Sequence, residues 1–188
     1  MSASSTSSQV PLKVIFLDID GVLLPFPQTT PNPSGRLFPD ETLKALSRLM
    51  NRTQAKLVLS STWRVRDDFC NDILECLEKY AEAQGQPNHI LHGYSKQFWS
   101  KTDVNLHSER QWEIYDWLQT HQSQHSNQKI VWLALDDEEL IEEDKNQQHR
   151  HAFQGHVVKT TSSVGLTIED VNLGIQLWNE QLENFKEP

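Results

Sequence analysis

The chain has 188 residues, a formal charge of −9 and a pI of about 5.3. Those values suit one soluble globular domain with a core of moderate size, and they argue against a strong, sequence-independent grip on a phosphate backbone. No apolar run approaches the roughly 18 residues of a membrane span, so no membrane partner is expected.

The N-terminal stretch Met1–Gln9 is rich in serine and lacks both a basic start and a long apolar run. Residues 1–10 are therefore expected to form a disordered tail, with a single domain over 11–188. Lys13–Asp18 reads as the first strand, an apolar run that ends abruptly in Asp18-Ile19-Asp20-Gly21. Pro25–Pro39, rich in Pro, Thr, Ser and Gly, reads as a loop or short flap. Pro39-Asp40-Glu41 opens a helix to about Asn51 whose apolar face is Leu43, Leu46, Leu49 and Met50. Lys56–Ser60 is the second strand. A helix from about Arg66 to Ala83 carries Phe69, Ile73, Leu77 and Tyr80 at helical spacing and ends at Gly85. Cys70 and Cys76 both lie on it and point in different directions, so no disulfide joins them. That cysteine usage suits a reducing, cytoplasmic compartment.

His89–Gly93 is expected to be a short third strand, and Tyr94–Ser108, which shows no period, a loop. Glu109–Thr120 is a helix with Ile114, Trp117 and Leu118 on its apolar face. Ile130–Leu135 is the fourth strand, ending in Asp136-Asp137. His149-Arg150-His151 reads as surface loop and His156–Thr160 as the fifth strand. Thr167-Ile168-Glu169-Asp170 has the form of a capping box with Asp in the usual Glu position. It opens a last helix whose face is Val171, Ile175, Trp178 and Leu182. Strands alternating with helices predict an α/β fold with a mostly parallel sheet covered on both faces. Such sheets place their chemistry at the carboxyl ends of the strands.

Three strands end in polar residues suited to one site: Asp18, Ser60 and Asp136. Asp18 and Asp20 leave the strand on the same side, and two like charges so close call for a shared cation or proton. Asp18 suits a nucleophile and metal ligand, with Asp20 beside it as acid and base and as a further ligand. Asp136 and Asp137 supply oxygen ligands opposite Asp18, the donor type that Mg2+ prefers. Ser60 and Ser61, where the second strand meets its helix, can hold an anion through hydroxyl and backbone N–H groups. Arg64 can clamp a substrate. Trp63 can stack on a base or pack against the protein, and packing is the simpler use. A cation that offsets phosphoryl charge is still required, and either Arg110 or Lys101 can supply it.

These motifs resemble the haloacid dehalogenase-like (HAD) superfamily of aspartyl phosphatases and phosphotransferases. Its first motif stands here as Asp18-Ile19-Asp20-Gly21-Val22-Leu23, its second as Leu57-Val58-Leu59-Ser60 and its fourth as Leu133-Ala134-Leu135-Asp136-Asp137. The third, a single Lys or Arg, rests on Arg110 or Lys101. A closer similarity is to the HAD domain of multidomain RNA-repair proteins. It rests on Ser60-Ser61-Thr62-Trp63-Arg64, on Arg110 ahead of Glu113-Ile114 and Trp117-Leu118, and on Gly165-Leu166-Thr167. The resemblance implies a Rossmann-like αβα sandwich with a five-stranded sheet and a magnesium-dependent phosphatase in which Asp18 forms an aspartyl-phosphate and Asp20 assists its hydrolysis. The segments between motifs are too short for a full cap domain. A capless, open site favours the ends of large substrates, such as nucleic-acid termini or phosphoproteins, with nucleotides as smaller candidates. The alternative is an inactive HAD-like module that binds a phosphorylated partner. Two acidic pairs favour the enzyme, because without a metal four carboxylates repel a phosphate. The oligomeric state is left open.

Overall fold

The structure, a computed structural model, describes residues 10–27, 35–86, 88–94, 97–105, 109–125, 128–143, 145 and 147–184. Residues 1–9 of the expected tail and 28–34 of the expected flap lie outside them. Five strands, β1 (Leu12–Leu17), β2 (Lys56–Leu59), β3 (Ser100–Lys101), β4 (Ile130–Asp136) and β5 (Val157–Lys159), form one sheet in the order β3-β2-β1-β4-β5. Every pair is parallel. Helices α1 (Asp40–Thr53), α2 (Asp67–Ala83), α3 (Arg110–Gln124), α4 (Arg150–Phe153) and α5 (Ile168–Asn184) cover both faces.

Strand alternation sorts the core into two layers. Ile15, Leu17, Leu57, Leu59, Leu133 and Leu135 face α1, α2 and α5, where Leu46, Leu49, Ile73, Leu77, Val171 and Trp178 are buried. Val14, Phe16, Val58, Trp132 and Ala134 face the other way, onto Ile114 and Leu118 of α3 and Phe153 of α4. The capping box is formed as expected: the Thr167 and Asp170 side chains bond each other, and each accepts from the other's backbone N–H. Among the described residues, no helix is long and apolar enough to cross a membrane.

The central elements fall where expected, within a few residues. Three peripheral expectations are corrected. His89–Gly93 is not a strand; Ile90–Tyr94 forms a 3₁₀ turn. It buries Leu91 and sends the Tyr94 hydroxyl to accept from the Leu57 backbone N–H, closing off the start of β2. The third strand lies instead in the expected loop, as the two residues Ser100–Lys101 paired to β2. Two residues carry no period, so only the neighbouring strand reveals them. His149-Arg150-His151 is not surface loop either. His149 is buried with its ring stacked on Tyr115 at 3.8 Å, and Arg150 opens α4 while its guanidinium donates to the carbonyls of Ile141 and Glu142.

Among the described residues there is no separate cap. The chain after β1 makes a tight turn held by bonds from the Val22, Leu23 and Leu24 N–H groups to the Ile19 carbonyl. The described residues between β2 and α3 include α2, two 3₁₀ turns and β3.

Candidate active site

Register builds the site. Leu17 lies opposite Leu59 on one side and Leu135 on the other. The next residues, Asp18, Ser60 and Asp136, therefore stand side by side at the carboxyl edge. The ladder runs one step past the strands, through Asp18 N–H to the Leu135 carbonyl and Ser60 N–H to the Leu17 carbonyl. In the alternation, Asp18 and Asp136 share the phase of Phe16 and Ala134, the face covered by α3. Arg110 is the first residue of α3, and it reaches both carboxylates. Nη2 lies 3.3 Å from Asp18 Oδ1 and Nε lies 3.5 Å from Asp136 Oδ2.

Asp18 and Asp136 are buried, at 4% and 0% exposure. Burial pushes the Asp18 carboxyl above its ordinary range, against the pull of Arg110, the Ile19 N–H and the Ser61 hydroxyl. Burial, and then the negative charge of Asp18, push Asp136 well above its range. Asp137 is half-buried and also raised, chiefly by burial. One oxygen from each of these three aspartates lies within 4.8 Å of the others. Three carboxylates face the single guanidinium of Arg110, and Asp136 Oδ2 has no hydrogen-bond partner. A cluster of hard oxygen donors with excess negative charge is the donor set of a divalent cation such as Mg2+, so these residues fit the metal.

Raised carboxyls have a stability consequence with a definite sign. A group whose pKa is higher folded than unfolded takes up protons on folding, so its contribution falls as pH rises from the ordinary carboxylate range through the raised value. Asp136→Asn removes one such group and leaves Arg110 paired with Asp18. In metal-free protein the variant is expected to melt above wild type, with an advantage that grows from about pH 5 to about pH 7. Thermal denaturation at the two pH values checks this.

The other sequence candidates separate into distinct places. The Asp20 carboxylate is not part of the three-aspartate group; its Oδ2 accepts the Trp63 indole N–H at 2.8 Å. Gly21 has φ +72°, and a Cβ there would sit 2.4 Å from Asp137 Cγ, so only glycine permits this turn beside Asp137. Thr160 ties the turn down by donating to the Gly21 carbonyl at 2.8 Å. Ser60 is buried and its hydroxyl has no hydrogen-bond partner, whereas Ser61 places its hydroxyl on Asp18.

Arg64 is not set out as a substrate clamp. It is 1% exposed, donates to the carbonyls of Ser60, Ser61 and Asp103, and pairs with Glu113. Lys101 is half-buried, and its ammonium lies against the Arg64 carbonyl, the Cys70 thiol and Asp67 rather than against Asp18. Of the two rival cations, Arg110 is the one at the carboxylates. Sequence reasoning missed the Trp63–Asp20 bond and the Glu113–Arg64 pair. Only the second had a signal, since Glu113 lies one helical turn after Arg110 on α3.

The family described as "HAD domain in Swiss Army Knife RNA repair proteins" matches residues 14–171. The chain belongs to this family. The matched span runs from β1 into the first turn of α5 and contains every strand-end residue of the HAD site described above. No curated protein and no solved structure matches the chain. The HAD fold accounts for the all-parallel sheet; HAD domains typically use a divalent metal, and an aspartate cluster able to hold one stands at this edge.

Proposed function

We propose that the protein is a magnesium-dependent phosphatase that cleaves a phosphomonoester through an aspartyl-phosphate on Asp18. The observation that carries this reading is the division of labour between two carboxylates two positions apart. Asp18 is buried against Arg110, Asp136 and Asp137, while Asp20 is held apart on a neutral N–H donor. Asp18, Asp136 and Asp137 would hold the metal, which when bound neutralises phosphoryl oxygens so that an anionic nucleophile can approach.

Asp18 Oδ attacks phosphorus and the bond from phosphorus to the leaving oxygen breaks. Asp20, protonated, gives its proton to that oxygen. Asp20, now a carboxylate, takes a proton from a water that attacks the aspartyl-phosphate, which frees Asp18 and releases inorganic phosphate. Arg110 Nη1 and the Ser60 hydroxyl, both buried without a hydrogen-bond partner, are donors available to the charge that builds on the phosphoryl oxygens.

The absence of a cap among the described residues favours a phosphate on the end of a large molecule. The family description names RNA repair proteins, so phosphorylated RNA and DNA ends lead the substrate panel, with nucleotides and phosphopeptides beside them. Free, buried Cys70 and Cys76 suit a reducing, cytoplasmic compartment.

The test is release of inorganic phosphate from a generic aryl phosphate and from that panel, with Mg2+ and with a chelator. Chelator-sensitive release is expected. Mg2+ alone is also expected to raise the melting temperature of wild type by mass action and to lose that effect in Asp136→Asn. No Mg2+-dependent release from any member would leave a non-catalytic module that binds phosphorylated partners.

A further inference from the structure

We infer that Trp63 is a positioning residue for proton transfer, holding Asp20 by one oxygen so that the other, Oδ1, handles the proton. The inference rests on the reading of Asp20 as acid and base and adds a residue to it. The observation is the 2.8 Å bond from Trp63 Nε1 to Asp20 Oδ2.

Trp63 is itself well fixed. It lies in the 3₁₀ turn Thr62–Val65, whose N-cap Ser61 accepts the Trp63 backbone N–H. The next residue, Arg64, anchors the turn from inside the fold through the Ser60, Ser61 and Asp103 carbonyls. The indole packs on Phe69 with ring centroids 4.8 Å apart, and the Arg66 guanidinium covers the Phe69 ring at 3.9 Å. The side chain that aims the donor is thus held from its backbone and from its ring.

The chemistry follows from what an indole can do. Its N–H donates and never accepts, so the Oδ2 that faces it meets a donor, and an Asp20 proton is favoured on Oδ1. In the first step it passes from Oδ1 to the leaving oxygen as the phosphorus–oxygen bond breaks. In the second Oδ1 takes a proton from the attacking water. The indole keeps its hydrogen throughout.

The measurement is kcat/KM, which covers the steps up to transfer to Asp18, on two substrates with Mg2+. Phosphoserine has a poor leaving group that needs the proton; a dinitrophenyl phosphate has a good one that needs it little. Trp63→Phe is expected to lower kcat/KM about 30-fold on phosphoserine and less than about threefold on the dinitrophenyl ester. Replacing Trp63 by its sulfur isostere benzothienylalanine removes only the N–H, keeps the packing on Phe69, and is expected to show the same split. An equal loss on both substrates, or no loss on either, from the isostere would overturn the role of Trp63 while leaving the phosphatase intact. A wild type that releases phosphate from neither of these substrates nor from any member of the wider panel would overturn the phosphatase reading and this role with it.

Discussion

Asp18→Asn is expected to abolish Mg2+-dependent phosphate release, by about 10⁴-fold or more, without unfolding the protein. The amide keeps the shape of the carboxyl but has no lone pair able to attack phosphorus. The fold should tolerate the change for a specific reason. Asp18 is buried beside Asp136, and burial alone already pushes its carboxyl toward the neutral form. A neutral amide there relieves a desolvated charge, and Arg110 keeps Asp136 as its partner. The melting temperature of the metal-free variant should therefore equal or exceed that of wild type. Paired measurement of turnover and melting separates a lost nucleophile from a lost fold. Wild-type turnover in the variant would show that phosphate leaves by a route that does not use Asp18.

Arg64 presents the opposite case, in which the large effect falls on stability. The Arg64→Met variant is expected to lose roughly 3–5 kcal/mol, or about 10 °C in melting temperature for a domain of this size. The guanidinium is 1% exposed and supplies hydrogen bonds to Ser60, Ser61 and Asp103 as well as the ion pair with Glu113, whose side chain is 4% exposed. Methionine fills similar volume but leaves a buried carboxylate and three carbonyls without their donor, and that uncompensated charge dominates the cost. Adding Glu113→Gln should recover part of the loss, because the buried charge is then gone. Thermal melts of the single and double variants check both statements. An Arg64→Met protein as stable as wild type would mean that Arg64 does not hold the end of β2 and the Asp103 segment to α3.

Arg64 also marks how far the sequence could be read. Ser60-Ser61-Thr62-Trp63-Arg64 stands at a strand end, where a cation invites a substrate role. Whether an arginine faces solvent or interior depends on what lies beneath it. Here that is Glu113 from α3 and the Asp103 carbonyl beyond β3, both far along the chain. The same limit applies to Trp63. Packing was the simpler expectation, and the ring does pack on Phe69. Its N–H, however, finds a carboxylate 43 positions away, a pairing no local pattern signals. Of the two candidate cations, Arg110 is favoured in sequence by its place ahead of the helix that feeds β4, with Lys101 in the preceding loop as its rival. Arg110 opens α3 on the sheet face that Asp18 and Asp136 share, and Lys101 ends an edge strand against Cys70 and Asp67.

Legibility was highest where local and global demands coincide. The four longer strands and the four longer helices follow from apolar periodicity, because each buries a continuous face. Ser100–Lys101 and the Ile90–Tyr94 turn are short, and their conformation is imposed by β2 beside them. Likewise, His149 is buried by Tyr115 and Trp112 of α3, which decides between a surface loop and a packed helix start.

By itself the sequence determined that apolar strands end in Asp18, Ser60 and Asp136, that Asp20 follows Asp18 on the same side, and that Gly21 comes directly after that pair. Those follow from residue order and strand period, which act over a few residues. The tertiary structure alone decided that Leu17, Leu59 and Leu135 share a register, so that the three strand ends form one row. It also decided that Arg110 meets that row, that Arg64 turns inward, and that Trp63 holds Asp20. Each joins segments far apart in the chain, and such contacts are selected by how the layers pack rather than by any local pattern of residues.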